Sequence, residues 1–330
     1  MIHSMRYLIG QDYAKKRLGG LFRGEPGHAF LLLGPPGIGK RSLARAAANG
    51  LMCERPDEDG ACGDCPSCRY FEAGTHPDFK ELLIPPKEKL IKVESVRSRV
   101  CGDVQIFPQI ASHKVYLIEG DGLNEQGQNA LLKTLEEPPP NVIFLLTGTE
   151  PGRFLPTILS RAEVVALQPN TEEEIVSILL KRTALSESDA RFYARFADGV
   201  PGKAIELASD SDFSNLRDAA VRQFLKLPSA TVTDRLTDVC AFFEENKEQV
   251  KDILSVWLLL VRDITALKAV RNKAVLLNVD FFEEIVAFLK TYPWSSRMGD
   301  EKSSVIVHTL SALKANCSFD STICSMLLSL

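Results

Sequence analysis

The sequence lacks any long apolar run and any large excess of charge of one sign. No stretch approaches the roughly 20 apolar residues that a membrane-spanning helix needs, and the longest candidate, residues 253–261, ends at Arg262 and Asp263. The formal net charge of −4 argues against a broad nucleic-acid-binding face, but not against a local basic strip. The first residues lack the apolar core of a secretory signal peptide. These absences make a cytoplasmic protein without membrane contact the simplest expectation.

Short apolar runs alternate with helical patterns in the first half of the chain. The apolar runs cover residues 29–33, 114–118 and 142–147, and the helical patterns cover residues 42–51 and 125–137. Buried strands that alternate with helices predict a parallel sheet that is covered on both faces. We therefore expect an α/β fold in this part of the chain.

Strand patterns stop after about Pro169, and the remainder has helical periodicity. Thr171, followed by three glutamates, predicts a capped helix start. A chain of 330 residues is long enough for two or three domains. We expect three: an α/β domain over residues 1–169, a small helical lid over residues 170–209 and an all-α domain over residues 210–330.

A glycine-rich loop follows the first apolar run directly. Residues 34–40 read GPPGIGK, and the strand–loop–helix context matches the P-loop pattern G-x-x-x-x-G-K-[ST], whose backbone N–H groups and lysine hold phosphates. Arg41 stands where the Mg²⁺-binding hydroxyl should be, and Ser42 supplies a hydroxyl one position late, about 100° further round the helix. Bound ATP and Mg²⁺ are therefore doubtful, and a turn without ligand is the alternative.

Hydrolysis by a P-loop ATPase also needs acidic residues after a neighbouring strand. Glu119 could serve the metal, but Gly120 has no side chain that could act as a base, and Asp121 would face the other way if the strand continues. We therefore expect weak or absent hydrolysis. The candidate residues of this degenerate nucleotide site are Gly34, Gly37, Gly39, Lys40, Arg41, Ser42, Glu119 and Thr149.

Half of the eight cysteines lie close together, namely Cys53, Cys62, Cys65 and Cys68. In a reducing compartment such a cluster indicates a metal rather than disulfides, and four thiolates in tight C-x2-C turns suit tetrahedral Zn²⁺. A closed four-cysteine set predicts a structural site, with four free thiols as the alternative. His76 is expected to be a turn residue. The scattered cysteines are expected to be small buried side chains; they are Cys101, Cys240, Cys317 and Cys324.

Three further motifs are more specific than the P-loop. Residues 129–139 read NALLKTLEEPP, residues 157–161 read TILSR and residues 74–79 read GTHPDF. Together with the four-cysteine insertion, they closely resemble bacterial DNA polymerase III clamp-loader subunits of the AAA+ superfamily. The resemblance covers residues 6 to about 210 with specific motifs. It implies that residues 210–330 form the helical collar by which such subunits assemble into a ring.

Within this family, the gamma/tau motor subunits have intact ATP sites, whereas delta-prime subunits often do not. This sequence departs from the motor pattern at Arg41, at Gly120, which replaces the Walker B glutamate, and at Gly202, which replaces a sensor arginine. The resemblance therefore favours the delta-prime type. It also implies that Arg161, next to Ser160, is an arginine finger that reaches a neighbouring subunit's ATP site. A surface salt bridge is the alternative role of Arg161.

The resemblance implies a role in DNA replication. We expect a mostly non-hydrolysing stator within the DNA-directed DNA polymerase holoenzyme, which supports sliding-clamp loading on primed DNA. Its partners would be gamma/tau and delta subunits in the ring, the clamp, and DNA through the assembled complex. An active gamma/tau-type motor, with Ser42 and Asp121 as substitutes, is one alternative.

A zinc-dependent DNA-binding protein is a second alternative. Acidic side chains surround the cysteines and would repel phosphate; they are Asp57, Glu58, Asp59 and Asp64. If the chain contacts DNA, the candidates are Lys92, Arg97 and Arg99, for which a solvated face is the other explanation.

Overall fold

A computed structural model describes residues 4–24, 27–272 and 275–330. The described residues fall into two compact units. The first contains those up to Glu174 together with Gly199–Gly202, and the second contains Ile175–Asp198 and the described residues from Lys203 onward. The division of the helical part into a lid and a collar stays a prediction.

The first unit consists of a sheet and the helices that cover it. Its strands are β1 (Ala29–Leu33), β2 (Phe79–Leu82), β3 (Lys114–Glu119), β4 (Val142–Gly148) and β5 (Glu163–Ala166). Its helices are α1 (Asp12–Gly20), α2 (Lys40–Met52), α3 (Pro66–Glu72), α4 (Val93–Val96), α5 (Glu125–Glu136) and α6 (Pro156–Leu159). A π-helical turn over Arg97–Cys101 continues α4.

The strands form a parallel sheet in the order β2-β3-β4-β1-β5. Strand β1 pairs with β4 and β5, and β3 pairs with β2 and β4, in each case in parallel. The segments that follow the strands therefore meet at the carboxyl edge of the sheet, and the segments that lead into them meet at the amino edge. The predicted α/β fold with a parallel sheet is confirmed.

Side chains of β1 alternate between the two faces of the sheet. Phe30 and Leu32 belong to one buried cluster, which includes residues of α1 and α2. Leu31 and Leu33 belong to the other, which includes residues of α5 and α6. Because both faces are covered, the central strands are continuous apolar runs, and this explains why their sequences predicted them.

Two strands escaped the sequence analysis. Strand β2 reads FKEL and strand β5 reads EVVA, and neither has the apolar run of a central strand. Each lies at an edge of the sheet, where charged side chains can reach solvent. The helix after the P-loop was also predicted too short, because α2 begins at Lys40 directly after Gly39.

Helices follow β5, and a boundary between the two units falls within two of them, at Glu174–Ile175 and at Gly202–Lys203. The helices are α7 (Glu172–Arg182), α8 (Glu187–Phe196), α9 (Pro201–Ser209), α10 (Ser211–Lys226), α11 (Val232–Asp234), α12 (Cys240–Glu245), α13 (Val250–Val270), α14 (Phe282–Thr291), α15 (Ser296–Lys314) and α16 (Phe319–Ser329). The predicted cap of α7 is present, since Thr171 Oγ1 accepts from Glu174 N at 3.2 Å. Within the described ranges, no helix is long and apolar enough to cross a membrane.

The second unit has its own core around Trp257. This side chain is fully buried, donates from Nε1 to Ala220 O at 2.8 Å and meets Phe224 and Phe243 edge to face. The expectation that the scattered cysteines are buried is wrong for Cys317, which is exposed, and holds only in part for Cys101, Cys240 and Cys324, which are partly buried. Cys317 follows the end of α15, where the chain leaves the packed helix.

Candidate functional site

The glycine-rich loop lies at the carboxyl end of β1 and leads into α2. Gly37 and Gly39 have φ values of 81° and 103°, which an L side chain rarely adopts. The Lys40 ammonium folds back onto the loop and donates to Gly34 O at 2.5 Å and to Pro35 O at 3.0 Å. The lysine that the P-loop pattern assigns to phosphate binding therefore lies over the loop.

A cavity of about 520 Å³ lies beside this loop. Of the predicted nucleotide-binding residues it is lined by Gly37, Gly39, Lys40, Arg41, Ser42, Glu119 and Thr149. Burial lowers the pKa of Lys40, although the carboxylates of Asp121 and Glu119 act in the opposite direction. The structure thus brings the predicted residues together around one cavity, except Gly34, which does not line it.

The acidic groups of this cavity are engaged with the protein itself. Glu119 Oε2 accepts from Ile84 N at 2.9 Å. Asp121 Oδ1 accepts from the backbone N and the side-chain Oγ1 of Thr149, both at 3.0 Å. One oxygen of each carboxylate that would hold Mg²⁺ or orient water is therefore already engaged by neighbouring protein atoms.

The positively charged Arg41 stands at the sequence position where the P-loop pattern has its Mg²⁺-binding hydroxyl. The Arg41 guanidinium points to Glu81, with Nη2 3.5 Å from Oε1, and Arg45 forms a second ion pair with the same carboxylate. A positive side chain at this position repels a divalent cation. The departure from the P-loop pattern is therefore electrostatic as well as chemical.

The structure leaves no space for a side chain at Gly120, the position at which the motor subunits are expected to carry the Walker B glutamate. A Cβ atom at this position would lie 2.5 Å from Phe154 Cε1 and 2.9 Å from Thr147 O. Phe154 is buried and also closes over Gly148, where a Cβ would lie 2.3 Å from its Cε2. The ring of Phe154 thus fills the volume through which an acidic side chain at position 120 would leave the backbone.

Gly202, at the position of the sensor arginine, contacts the P-loop directly. Its backbone N donates to Gly37 O at 2.9 Å. A Cβ atom at Gly202 would lie 2.7 Å from both Cα and O of Gly37. The close approach of the two backbones requires glycine here and excludes a longer side chain.

Arg161 lies at the amino edge of the sheet, directly before β5. Its Nη2 is 2.6 Å from Glu136 Oε1, and its Nη1 donates to Thr157 O at 2.9 Å and to Ser160 Oγ at 3.1 Å. Glu136 ends α5 and belongs to the LEEPP motif. The P-loop is at the opposite, carboxyl edge, so the structure does not bring Arg161 into the cavity of its own chain.

The four clustered cysteines meet at one point. Their sulfur atoms all lie within 4.8 Å of one another, and Cys53 Sγ is 3.9 Å from Cys65 Sγ. Tetrahedral Zn–S bonds of about 2.3 Å place sulfurs about 3.8 Å apart. The residues therefore fit a four-thiolate metal site, as the spacing predicted.

Backbone amides point at these sulfurs. Cys53 Sγ accepts from Arg55 N at 3.4 Å and from Cys62 N at 3.3 Å, and Cys65 Sγ accepts from Cys68 N at 3.4 Å. Burial raises the pKa of Cys53 and Cys68. Burial also acts on Cys65, but hydrogen bonds, first from Cys68 N, lower its pKa to about 7. Such amides stabilise thiolates, the form that binds metal.

The loop around the cysteines is held to the rest of the first unit. Ser4 Oγ donates to Asp59 O at 2.8 Å, and Arg6 forms ion pairs with Asp57 and Asp59. His76 is buried, where its Nδ1 accepts from Asp78 N at 3.1 Å. The expected role of His76 as a turn residue is confirmed. Asp57 and Asp59, two of the acids near the cysteines, are engaged in contacts with Arg6.

Two residues of these sites were not found from the sequence. Phe154 fills the place of the absent acid, and Glu136 holds the arginine. Glu136 lies inside a recognised motif, but nothing in that motif indicated its partner. The partner, Arg161, lies 25 residues further along the chain. Only the packing of α5 against the segment before β5 brings it to Arg161.

Comparison with known proteins identifies relatives of this chain. A family model described as "DNA polymerase III, delta subunit" matches residues 12–171. The delta' subunit of DNA polymerase III from Pseudomonas aeruginosa is 47% identical over 146 residues, which are 44% of this chain and 44% of that protein. The delta' subunit from Escherichia coli is 34% identical over 185 residues, 56% of this chain and 55% of that protein.

The tau subunit from Escherichia coli is also similar, with 34% identity over 256 residues, 75% of this chain and 39% of that protein. The matches thus span about half the length of the delta' relatives. The family-model match over residues 12–171 contains the P-loop, the cysteine cluster and the Arg161 motif. The chain belongs to the AAA+ clamp-loader family that contains the delta' and tau/gamma subunits of DNA polymerase III.

Proposed function

We propose that this chain is a delta-prime-type subunit of the DNA polymerase III clamp loader. It acts as a mostly non-hydrolysing stator in a ring with gamma/tau and delta subunits, and it supports loading of the sliding clamp on primed DNA during replication. This work takes place in the bacterial cytoplasm. Its own ATPase activity is weak or absent.

The observation that carries this proposal is the packing of Phe154 against Gly120. The family's hydrolytic acid would belong at Gly120, and the ring of Phe154 leaves no room for it. Arg41 and Gly202 add a repelling cation and a closed backbone contact at two more positions. Three independent features, one in the cavity at Arg41 and two beside it at Gly120 and Gly202, thus disfavour hydrolysis.

Arg161 is the group through which such a subunit contributes to hydrolysis. It is partly exposed, and it lies at the amino edge of the sheet, away from its own P-loop. An arginine that cannot reach its own site can still stabilise charge on a γ-phosphate bound by a neighbouring subunit. Ser160, which accepts from Arg161 Nη1, orients the side chain.

The four-cysteine site holds structural Zn²⁺ in this proposal. The donor set is closed, because all four ligands are protein thiolates, so the ion has no open position for chemistry. Bound zinc would stabilise the loop by on the order of 10 kcal/mol. The exposed acids of this loop disfavour the alternative of a zinc-dependent DNA reader.

ATP turnover by a reconstituted loader tests the stator role. With Arg161→Ala we expect a large loss of turnover, because a neighbouring site loses its finger, whereas Lys40→Ala should change turnover little. Both variants should first be shown to assemble with gamma/tau and delta. Abolished turnover with Lys40→Ala and normal turnover with Arg161→Ala would reject the stator in favour of a motor.

The motor alternative has a direct test of its own. The tau relative is similar over 75% of this chain, and a motor would use Ser42 and Asp121 in place of the missing groups. Purified chain that hydrolyses ATP, with activity lost on Glu119→Ala, would support it. The hydrogen bonds that Asp121 makes with Thr149 favour the opposite outcome.

A further inference from the structure

Two of the scattered cysteines lie side by side in the second unit. Cys240 begins α12 and Cys324 lies in α16. Their Sγ atoms are 3.4 Å apart, although the residues are 84 positions apart in the chain, and both thiols are free. A disulfide places its sulfurs about 2.05 Å apart, so an approach of roughly 1.4 Å would join them. These two residues are here called the thiol pair.

The packing of α12 and α16 holds the thiol pair together. Phe243 on α12 and Ile323 and Leu327 on α16 are buried in the core of the second unit. Arg235, at the start of the π-helical turn that leads into α12, adds a polar link. Its Nη1 donates to Leu327 O at 3.2 Å and its Nη2 donates to Leu227 O at 2.8 Å. The two helices are therefore fixed against each other, and the sulfurs stay neighbours.

A cavity of about 360 Å³ opens beside the thiol pair. Both cysteines line it, and both are partly buried rather than sealed in the core. Glu244 and Asp320 line it as well, although Glu244 Oε1 also pairs with Lys247 Nζ at 2.9 Å. A small neutral oxidant can therefore reach the sulfurs, whereas the carboxylates repel an anionic one.

The thiol pair is not a second metal site. In the ranges that the structure describes, the clustered cysteines at 53–68 form the one group of three or more side chains that could hold an ion. Two thiols without further ligands do not complete the four-ligand set of zinc. The chemistry open to neighbouring thiols without a metal is oxidation to a disulfide.

The two sulfurs of the thiol pair have different roles. Burial, followed by the hydrogen bond with Cys324, raises the pKa of Cys240 to about 11. Cys240 therefore keeps its proton at neutral pH, and its S–H donates to Cys324 Sγ. Because the nucleophile in thiol oxidation is the deprotonated sulfur, Cys324 is the sulfur that reacts first.

We propose that the thiol pair is a peroxide-sensitive modification site, at which hydrogen peroxide converts Cys240 and Cys324 into a disulfide that fastens α16 to the start of α12. This inference does not depend on the proposed function. Disulfides in a reducing compartment are usually transient, and thiols restore this one by exchange.

The reaction proceeds in two steps, and its atoms and electrons balance. The Cys324 sulfur attacks one peroxide oxygen, the O–O bond breaks, and the leaving hydroxide takes the Cys324 proton and becomes water. The Cys240 sulfur then attacks the sulfenic acid at Cys324, so that the S–S bond forms and the S–O bond breaks. The second hydroxide leaves with the Cys240 proton, again as water. Two thiols thus lose two electrons, and one peroxide is reduced to two waters.

Peptide mapping of the full chain after treatment with hydrogen peroxide tests the proposal. Cleavage after lysine and arginine places Cys240 in residues 236–247 and Cys324 in residues 315–330. In wild type we expect these two peptides to be joined with the loss of two hydrogen atoms, and dithiothreitol should separate them. The oxidised chain should also melt about 5 °C or more above equally treated Cys324→Ser, since the disulfide restricts the unfolded chain.

Cys317→Ser is the matched control, because Cys317 lies in the same peptide as Cys324 but is exposed. The cross-link should persist in this variant and be lost in Cys240→Ser and in Cys324→Ser. Oxidation of the clustered cysteines occurs in every variant and is read in other peptides.

Three results would overturn the proposal. The first is recovery of Cys240 and Cys324 as free thiols from peroxide-treated wild type. The second is a cross-link that survives in Cys324→Ser, which would assign the disulfide to Cys317. The third is a cross-link between two chains in non-reducing electrophoresis, which would show that the sulfurs join copies instead of helices of one chain. None of these results bears on the ATP turnover of the Arg161→Ala loader, so the stator role is tested separately.

Discussion

Arg161 and Glu136 form an ion pair in which Nη2 lies 2.6 Å from Oε1. The side chains are 32% and 46% exposed, and pairs of this kind contribute only about 0–1 kcal/mol to stability. In the proposed finger role, the arginine would therefore exchange its carboxylate for a phosphate of a neighbouring subunit at small cost. Glu136 would hold the guanidinium in place until that phosphate is present.

Glu136→Gln should distinguish the role of Glu136 in holding the Arg161 side chain from the proposed role of Arg161 in ATP hydrolysis. We expect it to change ATP turnover of the reconstituted loader by less than about fivefold, because the pair is weak. Arg161→Ala should lower turnover by about tenfold or more, since it removes charge from the transition state. If Glu136→Gln were as damaging as Arg161→Ala, the pair would be structural and Arg161 would not be a finger.

Gly120→Glu should fail to restore hydrolysis. The new side chain would meet the ring of Phe154, and overpacking of a buried site typically costs about 1–3 kcal/mol. We expect a lower free energy of unfolding in urea and no ATP hydrolysis by the purified chain. Gly152→Glu is the matched control, since no atom lies within 4 Å of a Cβ at that position, and it should leave stability nearly unchanged. Hydrolysis gained by Gly120→Glu would contradict the role of Phe154.

The sequence predicted those features that depend on local pattern. Strands β1, β3 and β4 are buried on both faces and are therefore apolar throughout, and the cysteine spacing alone predicted their convergence. Edge strands β2 and β5 have no such pattern, because solvent and a single neighbour allow charged residues there.

Features that depend on distant contacts were not predictable. The sequence around Gly120 does not indicate that Phe154, 34 residues later, fills the space beside Gly120. The sequence around Asp78 does not indicate that its carboxylate accepts hydrogen bonds from the backbone of residues 109–111. Such pairs are set by tertiary packing, which periodicity and motif spacing do not encode. The same limit applied to Glu136 and Arg161.

Removal of one thiolate should abolish metal binding. Cys65→Ser is expected to leave purified chain without stoichiometric zinc in elemental analysis and to lower the melting temperature, because metal binding contributes to folding of the loop. Cys317→Ser is the control, since Cys317 is exposed and outside the cluster; it should retain zinc and stability. Full zinc content in Cys65→Ser would show that the four cysteines do not form the site.

Asp78→Asn should destabilise the protein in a pH-dependent way. The folded pKa of Asp78 is lowered below its unfolded value near about 3.9. The ionised group therefore contributes stability that is fully present above about pH 3.9 and is lost as the pH falls through the folded pKa. The Asp78 carboxylate accepts hydrogen bonds from the backbone N atoms of Gln109, Ile110 and Ala111. Asparagine keeps the shape but cannot accept all three, so the expected loss of unfolding free energy at pH 7 is about 1.5–3 kcal/mol.

Urea unfolding of wild type and Asp78→Asn between pH 7 and pH 3 measures this difference. The two free energies of unfolding should approach each other as the pH falls below about 3.9, because the unfolded wild-type chain then binds a proton that the folded protein does not yet bind. Asp12→Asn is the control, because the Asp12 side chain is 90% exposed and its ion pair with Lys15 is a surface pair worth only about 0–1 kcal/mol; its replacement should change stability little at any pH. If the four cysteines hold zinc, as proposed, thiolate protonation would release it from both proteins equally, and this effect cancels in the comparison. A difference that grows toward acid pH would show that the charge of Asp78 does not fix residues 109–111.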